Sequence, residues 1–107
     1  MKHVNMNEVL PVLNKYNVSA KTLVDHDNAT IKNLFLNKGQ SIPDHKVPMD
    51  VTFFILEGTG SITIGGETVK VKALDCVLCP PNTFMSVKAD DDSTLSFLNI
   101  KTPGLKA

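Results

Sequence analysis

The sequence offers almost nothing to long-range electrostatics, membrane insertion or covalent cross-linking. Basic and acidic residues balance at eleven each in 107 residues. No field of one sign therefore draws the chain to nucleic acid or to an acidic membrane, and neither is expected as a partner. No apolar run is long enough to span a bilayer. The first ten residues, MKHVNMNEVL, are interrupted by Asn5, Asn7 and Glu8 and carry no secretory h-region. A cytoplasmic location is expected, and there the two cysteines read as reduced thiols. No Gly-rich phosphate loop, nucleophile elbow or basic aromatic strip occurs.

What is present suits one globular domain. A chain this long buries roughly 65% of its unfolded surface, enough for a core without disulfides or a structural metal. Residues 1–17 have two readings. Val9, Val12 or Leu13, and Tyr16 recur at helical spacing, with Asn7 as a cap and Pro11 in the first turn, whereas an extended arm fits equally. Such an arm or helix would pack on the barrel or on a partner subunit. From residue 18 to 107 a single β domain is expected, because short Val-, Ile-, Thr- and Phe-rich segments alternate with turn residues.

The expected strands are Ala20–Val24, Thr30–Leu36, Gln40–Val47, Val51–Leu56, Gly60–Ile64, Thr68–Lys72, Asp75–Cys79, Thr83–Lys88 and Thr94–Ile100. DHDN, NKG, PMD, EGT, GG, PPN and DDD between them read as turns or loops. Gly65-Gly66 between SITI and ETVKV is the sharpest hairpin signal, since a two-residue turn needs positive φ. VTFFIL is apolar on both faces: Val51, Phe53 and Ile55 alternate with Thr52, Phe54 and Leu56. Its second face requires cover from the N-terminal segment or a second subunit, and a homodimer is expected.

Two stretches resemble the motifs of the cupin superfamily. In the first, Gly39 leads five residues to His45, and six residues lie between Val51 and Gly58, followed by a glycine turn and hairpin. In the second, five residues separate Leu74 from Pro80, and Asn82 takes a glycine position that its tolerance of the left-handed region permits. The resemblance covers about residues 30–101 and implies an all-β double-stranded β-helix, a jelly-roll barrel. Metal-binding members use two His and a Glu from the first motif and a His from the second. The matching positions here are His45, Val47, Val51 and Met85, so only the first ligand is retained. Valine offers no donor, and one imidazole does not hold a divalent ion. No metal or other cofactor is expected.

The expectation for function is a small-molecule-binding or regulatory domain with a mainly apolar barrel cavity lined by His45, Val47, Val51, Phe53, Met85 and Val87. The alternative is a cupin enzyme of dioxygenase, isomerase or epimerase type. It would use His45 either with a divalent transition metal on unconventional ligands or in metal-free acid–base chemistry. The latter needs a second acid, and the single tyrosine, Tyr16, lies outside the matched stretch. His45 equally reads as an imidazole bonded to backbone, and Met85 as core. Asp44 and Asp50 flank His45 in sequence, without a pairing to either. Cys76 and Cys79 form C-x-x-C, but Pro80-Pro81 leaves no helix to activate a thiol and no second pair completes a zinc site. Both read as core cysteines on opposite strand faces. Asp90–Asp92 lacks the spacing of a calcium loop and reads as a solvated turn.

Overall fold

A computed structural model describes residues 1–106. The expected domain end at residue 107 lies outside the described residues. After a single 3₁₀ turn at Met6–Glu8 come nine strands: β1 (Val12–Leu13), β2 (Ser19–Asp25), β3 (Thr30–Leu36), β4 (Ser41–His45), β5 (Asp50–Ile64), β6 (Glu67–Lys72), β7 (Cys76–Cys79), β8 (Met85–Ala89) and β9 (Leu95–Thr102). The helical reading of the N-terminal segment is not realised. Pro11 biases Leu10 toward extended backbone, and Val12 and Leu13 instead pair with Ala20 and Ser19.

All strand pairings are antiparallel, and β5 joins the two sheets. Its first half pairs with β9 and β7, continuing through β3 and β2 to β1, while its second half pairs with β8 and β6, with β4 beyond β8. The sequence places a turn at EGT between two strands. The structure has one fifteen-residue strand with a bulge between Ile55 and Glu57. Gly58 makes the change of sheet possible: its φ is +84°, and a Cβ there would lie 1.8 Å from the Thr94 carbonyl oxygen. The Gly65-Gly66 hairpin forms as expected, with Ile64 opposite Glu67.

The core lies between the sheets. Val51, Phe53 and Ile55 of β5 face it beside Leu95 and Phe97 of β9, Ile62, Met85 and Val87, with the Phe53 and Phe97 rings 5.6 Å apart. On the outer face Thr52, Phe54 and Leu56 remain half-buried. Asn82 has φ +57° and Leu74 +76°, so both take left-handed backbone. No described helix is long and apolar enough to cross a membrane.

Candidate functional site

Strand periodicity brings polar groups into the interior at one end of the barrel. Inward positions of β9 run Leu95, Phe97, Asn99, Lys101, apolar at first and polar at the end. β3 does the same in reverse, with Thr30 and Lys32 before Leu34 and Leu36. The register sets Asn99 opposite Lys32 on one side and Phe53 on the other, and Lys101 opposite Thr30 and Val51. From the second sheet, β4 supplies Ile42 and His45, and β8 supplies Val87.

These residues enclose a cavity of about 120 Å³, to which the β1–β2 connection adds Asn14 and Tyr16. Asn14 fixes that connection: its Oδ1 accepts from Tyr16 N at 2.9 Å and from Val18 N at 3.1 Å. Gln40 Nε2 ties it down by donating to Asn17 O at 2.8 Å. The Tyr16 ring consequently sits beside His45, centroids 5.7 Å apart and tilted by 41°. His45 Nδ1 lies 2.9 Å from the Pro43 carbonyl, a contact in which Nδ1–H donates and Nε2 is the remaining ring nitrogen. Neither Asp44 nor Asp50 pairs with His45 among the described residues.

The charge in the cavity is positive. Lys101 Nζ donates to Asn99 Oδ1 and makes no described ion pair. Burial, and secondarily the nearby Lys32 charge, push the Lys101 ammonium down to about 8. Asn99 is buried, and Ala20, Leu34, Ile42, Phe53 and Val87 form the apolar wall.

Of the six residues expected to line a cavity, His45, Phe53 and Val87 do so, while Val47, Val51 and Met85 do not. Val51 and Met85 are 0% and 1% exposed and pack within the core, and Val47 packs against it. Apolar atoms form the larger part of the cavity wall, while six of the eleven lining residues, Asn14, Tyr16, Lys32, His45, Asn99 and Lys101, are polar or charged. The signal that finds Lys32, Asn99 and Lys101 is a polar residue occurring on the apolar phase of an alternating strand. Tyr16 carries no such signal, because a turn places it.

A metal of the usual kind does not fit the described residues. His45 lies opposite Met85 in the ladder, but Val47 and Val51 present no donor atoms, and no cluster of three His, Cys, Asp or Glu side chains occurs among the described residues. Cys79 is a core thiol whose Sγ donates to the Pro80 and Thr83 carbonyls. Burial, and then the Asp50 charge, hold its pKa above the ordinary value. Cys76 departs from expectation: it is exposed, because its side of β7 faces away from the core. Asp90 and Asp91 pair with Lys70 and Lys88 at the surface.

The family model for the cupin domain matches residues 34–101, and the chain belongs to that family. Among solved structures, a predicted oxalate decarboxylase from Thermotoga maritima is similar at 23% identity and TM-score 0.86, covering 95% of this chain and 99% of that one. A protein of unknown function from Streptococcus pyogenes has 26% identity, TM-score 0.74 and 95% coverage of both chains. A polyketide cyclase from Streptomyces resistomycificus has 18% identity, TM-score 0.86 and coverage of 95% and 79%. The fold is the cupin double-stranded β-helix, shared with an RmlC-like cupin from Shewanella frigidimarina at 12% identity and TM-score 0.88, covering 98% of this chain and 94% of that one. No curated protein matches the sequence.

Proposed function

We propose that this cupin binds a small molecule in the cavity between β3, β9 and β4, without the metal centre of the metal-binding members. The observation that carries the reading is the cavity itself: apolar on one wall, with His45, Tyr16, Asn99 and two lysines converging on the other. At about 120 Å³ it is far smaller than the roughly 300–1,000 Å³ of sites for drug-sized molecules. Its ligand is a compound of a few heavy atoms.

A fragment screen by backbone-amide NMR tests this. Hits that perturb His45, Asn99 and Lys101 and are lost in Ala20→Phe, which fills the cavity from β2, support the proposal. Hits that map elsewhere, or survive that substitution, overturn it. Elemental analysis after incubation with Fe, Mn, Ni and Zn should find no stoichiometric metal. Metal that disappears on His45→Ala would refute the metal-free reading.

Tyr16 beside His45 favours a second reading, metal-free acid–base catalysis, because it sets the only phenol of the chain beside the imidazole as a second acid. A turnover lost equally in Tyr16→Phe and His45→Gln, with ligand binding retained, would establish it. The half-buried outer residues Phe54, Leu56, Leu98 and Ile100 support a homodimer through that face. Sedimentation as a monomer at micromolar concentration would exclude it.

A further inference from the structure

Among the described residues, the lysines of the cavity have no counter-charge. Lys32 and Lys101 project from adjacent strands, with Asn99 directly opposite Lys32 and hydrogen-bonded to Lys101 Nζ. No aspartate or glutamate lines the cavity, and all four described ion pairs involve other lysines, Lys70, Lys72, Lys88 and Lys106. Two like charges brought together in a partly desolvated space repel each other and lose hydration. An anion placed between them reverses both costs.

The rest of the cavity restricts what that anion is. Leu34, Ile42, Phe53 and Val87 present hydrocarbon with no hydrogen-bonding group, a surface that favours an alkyl chain over a second charge. The volume of about 120 Å³ admits neither a nucleotide nor a sugar phosphate. We infer that the ligand is a short-chain monocarboxylate whose carboxylate lies between Lys32 and Lys101 and whose alkyl end rests on Phe53 and Val87. Asn99 contributes its amide, and the hydrogen bond from Lys101 to its Oδ1 orients that group. This deepens the proposed small-molecule site and rests on it.

The test is titration of the full-length protein with butyrate, its neutral isostere butyramide, and inorganic phosphate, each followed by NMR at Asn99, Lys101 and His45. Butyrate is expected to bind at least about tenfold more tightly than butyramide, since truncating one side of a charge-assisted pair costs at least that factor. Lys101→Met and Lys32→Met should each weaken butyrate about tenfold or more, and Lys101→Arg should retain most of the affinity. Lys88→Met, whose amine pairs with Asp91 outside the cavity, should leave it unchanged.

Equal binding of butyrate and butyramide at these residues, or butyrate affinity indifferent to both lysine-to-methionine changes, overturns the anion assignment while leaving the cavity reading intact. Phosphate binding at the same residues as tightly as butyrate overturns the carboxylate assignment. Failure of all three probes to perturb the cavity residues, with fragment hits mapping elsewhere, overturns the site itself.

Discussion

Lys101 is charged at neutral pH only at a cost to the fold, and that cost is measurable. Burial and the neighbouring Lys32 push its ammonium from the ordinary 10.5 to about 8. A difference of that size corresponds to about 3 kcal/mol at about 1.36 kcal/mol per pH unit. Screening by solvent at the partly open cavity reduces this to about 2 kcal/mol. Lys101→Met removes the charge and keeps most of the side-chain volume, but forfeits the bond to Asn99 Oδ1, which returns about 1 kcal/mol. The net expectation is a variant more stable by about 1 kcal/mol near neutrality, equivalent to about 4–6 °C in Tm for a domain of this size. The pH dependence has a definite sign. Below about pH 8 the ammonium is charged in both the folded and unfolded states, so the whole penalty is present. Between about 8 and 10.5 the folded protein releases the proton while the unfolded chain keeps it, so this group makes stability rise with pH. Above that window the amine is neutral in both states and the penalty is gone. Urea unfolding of both proteins at about pH 7 and about pH 10, in buffers free of carboxylate, should show the advantage of the variant at the lower pH and its loss at the higher. A variant less stable than wild type at neutrality, or an advantage of equal size at both values, would refute the electrostatic reasoning.

Three further expectations concern the frame around the site. Gly58→Ala should cost about 3 kcal/mol or more in denaturant unfolding, since it combines left-handed strain with a backbone clash. A loss below about 1 kcal/mol would mean that the kink of β5 is not held by that glycine. Leu74→Gly should stabilise by about 0.5–1 kcal/mol, because relief of a left-handed leucine exceeds the entropy glycine adds to the unfolded chain. A destabilised variant would show that the leucine side chain contributes packing. In thiol labelling of the native protein Cys76 should react at once and Cys79 only on unfolding; simultaneous modification of both under native conditions would contradict the burial of Cys79.

The barrel was legible because local signals agreed with one another. Thr30–Leu36 is a strand with the limits its composition implies, and the paired glycines after Ile64 turn the hairpin where positive φ is required. EGT misleads because glycine in a strand marks either a turn or a kink, and only the two sheets that β5 bridges distinguish them. The site was less legible for a related reason. The family motifs direct attention to His45, Val47, Val51 and Met85, yet valine and methionine without ligand chemistry pack against one another. Val51 and Met85 are accordingly absorbed into the core.

What identifies the cavity lies outside those motifs. Asn99 and Lys101 continue the inward phase set by Leu95 and Phe97, and Lys32 shares the phase of Leu34 and Leu36. In an alternating strand such residues take the inward phase, where Lys101, desolvated beside a second lysine, carries a cost that packing does not repay. The fold tolerates that cost at one end of the barrel, where Lys32 lies opposite Asn99 in the ladder, Lys101 Nζ bonds Asn99 Oδ1, and a turn locked by Asn14 sets Tyr16 against His45. Val47 and Val51 offer a metal no donor atom, whereas Lys32, Lys101 and Asn99 supply the groups that the proposed anion requires.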